Sequence, residues 1–514
     1  MGGRAAIRSF APPSRARTGA GATSTRWRSR SRRGRPASSQ SVVVKMCRRI
    51  LVALALSLVL AACSSASVGH HSAEVGGDWT RFGYDAARHN AGPGNTGITA
   101  ANVGRLRRQR VTLDGTVDAS PIYLRGVQIH GARHDAFFVT TSYGRTIAID
   151  AASGAILWRF TPSSYSALAG SYRITNSTPV ADPNRKFIYA ASPDGRVHKL
   201  SIASGAEARG WPVRVTLLAQ REKLGTSLNF ARGLVLLGTG GYVGDAPPYQ
   251  GHVVAINASS GRIVHVWNSL CSNVHRVLNP SNCAHSDSAI WARSGVVVAP
   301  GSGHLLVATG NGAFDGKQNW GDSALMLTSN ASRLLRNWTP RNQASLESGD
   351  VDLGSTAPAL IGGYAVQGGK EGKLRLLNLS QLGGRLGATG GELQTVTAPG
   401  GAEVFTAPAV SGKRLFVATD SGLDCYVLSG GRLHLSWHRG EGGTSPVVAG
   451  GLLYVYNGSL NVYAPTTGRL LARFSAGGSS HWSSPIVTDG RVAVPEGNAN
   501  DHRTSGVLDI FRLP

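Results

Sequence analysis

The stretch TSPVVAGGLLYVYNGSLNVYAPTTGRLLARF, residues 444–474, sets the architecture of the chain. It contains four short apolar runs, separated by turn sequences at Gly450-Gly451, at Asn457-Gly458 and at residues 465–468. Each run is too short for a stable helix, and Val, Leu and Tyr fit a pleated sheet. Asn-Gly is a strong hairpin signal. We therefore predict four antiparallel strands, at residues 445–449, 452–457, 460–464 and 469–474.

The same unit recurs along the chain, and each copy opens with a Ser-Pro-like sequence. The openings are Ser120-Pro121, Thr178-Pro179, Ala357-Pro358, Ala407-Pro408, Ser445-Pro446 and Ser484-Pro485, with degenerate ones near Ser227-Leu228 and Ser288-Ala289. One small sheet cannot bury both of its faces alone, and a four-stranded unit repeating every ~40–50 residues is typical of a β-propeller. We predict an all-β fold over residues 78–514, an eight-bladed propeller of four-stranded antiparallel blades.

The last repeat lacks one strand. After the opening at Ser484-Pro485 the chain supplies three strands and then ends, whereas residues 106–113 precede the first opening and have no blade of their own. We expect this N-terminal segment to complete the eighth blade as its outer strand, which would leave only short, protected sheet edges.

The N-terminal residues have a different character. Residues 1–45 are rich in Arg and Ser and contain no acid, so we expect a disordered preface and a translation start at Met46. A short basic stretch, an apolar run at 50–62 and Leu-Ala-Ala-Cys at 60–63 follow, which resembles a bacterial lipoprotein signal. The run is too short to span a bilayer, which favours a signal peptide at 46–62 that is cleaved. The resemblance implies a lipid-anchored, extracytoplasmic protein attached to the membrane at Cys63, with a polar tether over residues 63–77.

Charge argues against a nucleic-acid partner. The chain has a net charge of +25, but residues 1–62 contribute thirteen positive charges and no negative one, which leaves +12 for the rest. No dense run of Lys or Arg remains in that part. A dispersed basic surface suits an anionic envelope, whereas a nucleic-acid footprint clusters on one face.

Residues 78–85 read DWTRFGYD, and several repeats end in a Gly that a Trp follows four or six residues later. This pattern resembles the pyrroloquinoline-quinone (PQQ)-binding-like propeller repeat proteins, a superfamily that includes quinoprotein alcohol dehydrogenases and the propeller lipoprotein of outer-membrane assembly. The resemblance covers roughly residues 78–514 and is specific for fold, not for activity. It implies that the repeat tryptophans pack between blades, namely Trp158, Trp211, Trp267, Trp338 and Trp437.

Two cysteines flank one insertion. Cys271 and Cys283 lie near the two ends of the segment LCSNVHRVLNPSNC, residues 270–283. In a protein located outside the cytoplasm, such a pair predicts a disulfide bond. The alternative is metal ligation together with His275 and His285, although the spacing matches no established zinc motif. Cys425 stands alone in a predicted strand and suits a small buried apolar position.

The polar insertion at 308–355 contains the candidate site residues. In quinoprotein alcohol dehydrogenases a similar Gly-Asn-Gly stretch supplies an Asn ligand to the catalytic Ca²⁺, and a downstream Asp-x-Trp-Asp stretch supplies the base. The resemblance makes Asn311 a candidate ligand, with Trp320 and Asp322 as candidate cofactor contacts. It makes Asp350 and Asp352 candidate catalytic bases, since a carboxylate beside a quinone and a hard cation can take an alcohol proton.

Other parts of that machinery are missing. No two cysteines are adjacent, Val351 replaces the Trp between the acids, and residues 238–244 lack the Glu ligand of the family. Fewer carboxylates weaken calcium binding, so we expect neither PQQ nor Ca²⁺ as a resident cofactor and assign no metal. We favour a monomeric, non-catalytic binding or scaffold module that contacts an envelope protein, a glycan or a small ligand through mouth loops 268–287 and 311–355. The alternative is a PQQ-dependent alcohol or sugar dehydrogenase.

Overall fold

The computed structural model describes residues 75–478 and 481–514. This part of the chain consists mainly of short strands joined by tight turns. Residues 444–475 form antiparallel strands whose bounds lie within two residues of the predicted ones. They span Val447–Ala449, Leu452–Tyr456, Ser459–Tyr463 and Leu470–Ser475. At the Asn457-Gly458 turn, Gly458 adopts a φ of 88°, a conformation that glycine reaches without steric cost.

The described residues form eight four-stranded antiparallel sheets, which confirms the predicted eight-bladed propeller. From inner to outer strand, blades 1 to 4 are Ile122–Ile129, Ala132–Thr140, Thr146–Asp150, Ile156–Phe160; Val180–Ala181, Phe187–Ser192, Arg196–Ser201, Val213–Arg214; Asn229–Ala231, Leu234–Gly238, His252–Asn257, Ile263–Asn268; and Val297–Val298, Leu305–Ala308, Ala324–Leu327, Leu334–Trp338. Blades 5 and 6 are Ala359–Ile361, Tyr364–Gln367, Lys373–Asn378, Gln394–Thr397; and Ala409–Ser411, Arg414–Ala418, Leu423–Ser429, Arg432–Arg439. Blade 7 consists of the four strands from Val447–Ala449 to Leu470–Ser475, and blade 8 is Ile486–Thr488, Arg491–Glu496, Gly506–Arg512 and Arg107–Leu113.

Helices are few and short in these residues. The α-helices are Tyr165–Leu168 and Gln343–Ser348. The 3₁₀ helices are Val103–Arg105, Pro280–Asn282, Leu353–Ser355, Pro399–Gly401 and Ala499–Asp501. No helix within residues 75–478 and 481–514 has the length and apolar character needed to cross a bilayer. The predicted preface, signal peptide and Cys63 lie outside the described residues, as does most of the tether.

Blade 8 confirms the predicted closure. The N-terminal strand Arg107–Leu113 pairs antiparallel with Gly506–Arg512, so the first and last strands of the propeller share one sheet. Arg108 on this strand forms ion pairs with Asp509 at 2.8 Å and with Glu496 at 3.1 Å, and both acids are almost fully buried. The closing strand therefore adds a balancing charge as well as backbone hydrogen bonds.

The hydroxyl groups of the blade openings link neighbouring blades. Thr178 Oγ1 accepts a hydrogen bond from the Ser120 backbone N–H at 2.9 Å, and Ser445 Oγ accepts one from Ala407 at 2.9 Å. Ser120 Oγ accepts the Ser484 N–H at 2.8 Å, which joins blade 8 to blade 1. Each bond satisfies a buried backbone donor, and this requirement explains the recurrence of Ser and Thr at these positions.

One predicted opening is wrong. Blade 4 does not open at Ser288-Ala289, because its inner strand begins at Val297. The opening is Ser294-Gly295, in which Gly295 with a φ of 62° stands where six of the other blades have proline and blade 3 has Leu228. The backbone N–H of Ile290 instead donates to Thr239 of the preceding blade. The position before the opening Ser, which is Ser or Thr in most blades, is Arg293 here.

The segment before the first blade runs across the inner strands. Trp79 pairs with Tyr123 of blade 1, and the buried Arg88 guanidinium donates to the Leu228 carbonyl of blade 3 at 2.9 Å. The Asn90 amide donates to the Ala407 carbonyl at the start of blade 6 at 3.0 Å. This segment therefore ties several blades together along the propeller axis.

The structure confirms the disulfide bond between Cys271 and Cys283. No cluster of three or more metal-ligating acids, histidines or cysteines occurs among the described residues, so the metal alternative at this loop has no structural support. The repeat tryptophans pack between blades as predicted. For example, Trp158 of blade 1 donates its indole N–H to Ile202 of the next blade at 2.8 Å.

Candidate functional site

Residues that precede the innermost strands gather around the propeller axis. They line a cavity of about 470 Å³ at the end of the axis that we call the mouth. Blades 2, 3, 4, 5, 6 and 8 each contribute a residue from this position, in order Asn176, Lys223, Trp291, Asp352, Phe405 and Trp482. A cavity of this size suits a small molecule.

Three aromatic side chains form one wall of the cavity. The Phe405 and Trp482 rings are stacked, with centroids 4.5 Å apart and an interplanar angle of 4°. The Trp291 ring centroid lies 6.1 Å from each of them. All three side chains remain partly exposed to the cavity. Planar π faces beside an open space can stack with a flat conjugated molecule.

An ion pair lies beside this wall. The Lys370 ammonium contacts Asp352 Oδ2 at 2.5 Å and lies 6.0 Å from the Trp291 ring centroid. Asp352 also accepts the backbone N–H of Asn311 at 2.9 Å, so its carboxylate is held from two sides. Burial disfavours the charged amine, but attraction to Asp352 and Asp350 outweighs burial and raises the pKa of Lys370. Asp350 is exposed at the rim and only 3.4 Å from the same amine.

The deep end of the cavity contains a second charged cluster. The Arg293 guanidinium donates to Asp118 Oδ1 at 2.8 Å and to the Asp118 carbonyl at 2.8 Å. His481 Nδ1 lies 2.6 Å from Asp118 Oδ2, which also accepts the Ala499 N–H. Burial would raise the pKa of Asp118, but Arg293 and His481 outweigh burial and lower it. Burial lowers the pKa of His481.

Lys223 faces the same deep end. In the orientation that satisfies its own hydrogen bonds, the Asn176 amide oxygen accepts from Arg293 Nη1 at 2.8 Å and from Lys223 Nζ at 3.3 Å. Burial, together with the nearby Arg293 charge, lowers the pKa of Lys223 to about 8. Lys223 and Arg293 thus form a compact cationic pair beside the aromatic wall, with the Asn176 amide oxygen as their shared acceptor.

The residues predicted as cofactor contacts do not line this cavity. Trp320 is buried against Phe314 in the core and donates to Ser272 Oγ at 3.0 Å, which fastens the two mouth loops to each other. Asp322 is fully buried and accepts the Leu353 N–H at 3.1 Å, and burial raises its pKa to about 8. Asn311 lies behind Asp352 and donates its amide to the Leu346 carbonyl at 2.9 Å.

The residues present do not fit a calcium ion of the quinoprotein kind. Asn311 Oδ1 is a buried oxygen that lacks a hydrogen-bond partner among the described residues, as a metal ligand would. However, Tyr242 stands in the stretch where the family has its Glu ligand, and the Asp352 carboxylate is already paired with Lys370. One amide oxygen supplies too little negative charge to hold Ca²⁺. A planar polycarboxylate does fit, because an aromatic wall and cationic side chains meet in one cavity.

Both predicted bases, Asp350 and Asp352, line the cavity, whereas its aromatic and cationic residues were not among the predicted site residues. A local signal existed for two of them. Phe405 and Trp482 each stand directly before the Thr or Ser that precedes a blade opening, Ala407-Pro408 and Ser484-Pro485 respectively. Because the openings lie near the axis, a large aromatic residue at that position is placed on the cavity wall.

Comparisons with known proteins agree with this fold. Residues 117–269 and 385–509, slightly more than half of the chain, match the family model described as outer membrane protein assembly factor BamB. Quinohemoprotein alcohol dehydrogenase ADH IIB of Pseudomonas putida is 27% identical over 232 residues, 43% of this chain. That match spans only 30% of the length of the dehydrogenase.

Solved structures show the same architecture. Quinohemoprotein alcohol dehydrogenase from Comamonas testosteroni is similar with a TM-score of 0.64 at 16% identity, over 85% of this chain and 80% of that one. A europium-containing methanol dehydrogenase gives a TM-score of 0.63 at 16% identity, over 85% of this chain and 98% of that one. At these identities the likeness concerns the fold alone. With the family match, it follows that this chain belongs to the PQQ-like β-propeller family described as outer membrane protein assembly factor BamB, within the quinoprotein alcohol dehydrogenase-like superfamily.

Proposed function

We propose that the protein is a binding module that holds a small planar molecule in its axial cavity. The observation that carries this proposal is the aromatic wall of Trp291, Phe405 and Trp482, whose faces border a cavity of about 470 Å³. Buried apolar rings with a few convergent polar groups are typical of small-molecule sites. A protein or glycan partner would instead contact the mouth loops 268–287 and 311–355 from outside.

PQQ is a suitable probe because it is planar, conjugated and anionic. We expect the purified protein to bind it saturably in calorimetry, with quenching of tryptophan fluorescence. Trp291→Ala removes one stacking face and should weaken binding at least tenfold, in line with ~1–3 kcal/mol for a stacked aromatic pair. Trp291→Phe keeps an aromatic face and serves as the matched control. Equal affinity of wild type and Trp291→Ala would contradict binding at this wall.

A second candidate is a quinone-dependent oxidoreductase, which one observation favours. The Asp352–Lys370 pair lies next to the Trp291 ring, where a carboxylate could accept a proton from an alcohol and an ammonium could polarise a carbonyl oxygen. Bound PQQ would supply the two-electron redox chemistry. In this chain, Lys370 and the Asn311 N–H would hold the Asp352 carboxylate in place for that proton transfer.

A dye-reduction assay separates the two candidates. The protein is mixed with PQQ, with and without Ca²⁺, and an alcohol or sugar is added with an electron-accepting dye. The binding module predicts bound PQQ without dye reduction. Reduction that requires substrate and is lost in Asp352→Asn, while PQQ affinity is kept, would establish the oxidoreductase instead.

We also propose that the propeller is held outside the cytoplasm by a lipid on Cys63. The lipoprotein-like sequence at 46–63 supports this, and a disulfide bond between Cys271 and Cys283 suits an oxidising compartment. Cells that express the protein should incorporate labelled palmitate into it, and the membrane fraction should retain it. Cys63→Ala should abolish the label and release the protein, and label retained in that variant would contradict the proposal.

A further inference from the structure

The cationic side chains of the cavity differ in whether a carboxylate balances them. Lys370 is paired with Asp352, and Arg293 is paired with Asp118. Lys223 forms no ion pair within residues 75–478 and 481–514. Its ammonium has three N–H donors, and the part of the chain that the structure describes offers them one side-chain acceptor, the Asn176 amide oxygen at 3.3 Å. Donors of Lys223 are therefore left to face the cavity.

The charged groups around Lys223 do not compensate this ammonium. Arg293 on the blade 4 side is positively charged, and His481 on the blade 8 side is neutral or positively charged. Neither side chain therefore attracts the Lys223 ammonium. Asp118 and Asp245 attract it only at longer range. Asp118 already binds Arg293 and His481, and the Asp245 carboxyl accepts the Tyr249 hydroxyl at 3.0 Å. A partly buried charge without a counterion gains stability when an anion binds to it.

The deep end also adjoins the aromatic wall. Arg293 Cζ lies 5.9 Å from the Trp482 ring centroid, and the His481 ring lies 4.2 Å from that of Trp482. Arg293 is 4% exposed, and its Nη donors are occupied by acceptors of the protein, so it contributes positive potential rather than a direct contact. A flat molecule stacked on the wall therefore has Lys223 within the same cavity as its free hydrogen-bond donor.

We propose that Lys223, supported by Arg293 and Asn176, forms a carboxylate-binding subsite, and that the ligand of the axial cavity is a planar aromatic carboxylate. This inference rests on the proposed binding function and specifies the chemical class of its ligand. The Lys223 ammonium donates to the ligand carboxylate, while the ring system stacks on the aromatic wall. The three residues of this subsite lie outside the insertion at 308–355, which contains the site residues predicted from the sequence.

Two probes of the same ring system, PQQ and its uncharged trimethyl ester, test the subsite by calorimetry. We expect wild type to bind the acid at least tenfold more tightly than the ester, on the order of one charge-assisted hydrogen bond of ~1.5–3 kcal/mol. Lys223→Met should remove this preference, and Lys223→Arg should retain much of it. Lys413→Met, which neutralises an exposed lysine away from the cavity, should behave as wild type.

The affinity for the acid should also decrease as the pH rises above about 8, because the free Lys223 amine then loses its proton. The ester should show no such decrease, and neither should Lys223→Met. Equal binding of acid and ester to wild type, with both lost in Trp291→Ala, would overturn the subsite and leave the binding function standing. Failure of both probes to bind wild type would overturn the binding function together with the subsite.

Discussion

Most buried charges among the described residues have an oppositely charged partner, and Lys223 is the cation of the axial cavity that has none. His252 and Glu222 illustrate the usual arrangement: both are fully buried, and His252 Nε2 lies 2.8 Å from Glu222 Oε1. His252 Nδ1 faces the Asn268 amide oxygen at 2.6 Å, so both ring nitrogens have partners. Such pairs stabilise the fold, whereas a cation without a counterion on the wall of a cavity indicates a binding site for an anionic ligand.

The His252–Glu222 pair makes stability depend on pH. Burial alone would lower the pKa of His252, but attraction to Glu222 and hydrogen bonds to Glu222 and Asn268 outweigh burial and raise it. A raised folded-state pKa stabilises the protein fully below the unfolded value near 6.5, and this stabilisation is lost as the pH rises through the folded value. We expect His252→Gln to lose the most stability at pH 6 and less at alkaline pH.

Urea unfolding of wild type and variant at several pH values checks this sign. His434→Gln changes an exposed histidine and should leave the pH dependence of wild type unaltered. A difference between wild type and His252→Gln that stays constant from pH 6 to pH 9 would contradict a charged pair in the core.

The closing strand of blade 8 combines backbone pairing with charge balance. Asp509 and Glu496 lie side by side, and burial together with the hydrogen bond and charge of Asp509 raises the pKa of Glu496 to about 7. Arg108 is the cation that reaches both acids. The strand thus supplies the positive charge that the other three strands of the blade require.

Removal of that cation should destabilise the propeller. We expect Arg108→Met to lower the free energy of unfolding by about 3 kcal/mol, because the buried Asp509 loses its partner and Glu496 keeps only Arg110 at 3.5 Å. Arg107→Met, one residue earlier on an exposed position of the same strand, should cost little. Equal stability of the two variants in chemical denaturation would show that backbone pairing alone holds the strand.

The ring as a whole depends on its N-terminal residues twice, through the segment that crosses the inner strands and through the closing strand. Deleting residues 78–113 should lower the midpoint of thermal unfolding and expose the Gly506–Arg512 edge, which promotes aggregation. Calorimetry and light scattering measure both effects. Deleting residues 1–45 is the control and should change neither. An unchanged midpoint after the larger deletion would refute closure by this strand.

The fold could be predicted from the sequence and most of the cavity residues could not, for a physical reason. Each blade is a local unit, so its strands and turns recur at a readable spacing, as between Asn457 and Gly458. The cavity gathers residues from six blades, and Lys223 and Trp482 line the same cavity only when the ring closes. Trp320 and Asp322 lie between Asn311 and Asp350 in the sequence, yet the insertion buries both side chains in the core.

A crystal structure of the protein in complex with PQQ would show directly where and how the axial cavity binds this probe. We predict the ring system against Trp291, Phe405 and Trp482, with one carboxylate within hydrogen-bonding distance of Lys223 Nζ. The probe bound outside the cavity, or bound inside with all carboxylates turned away from Lys223, would contradict the account.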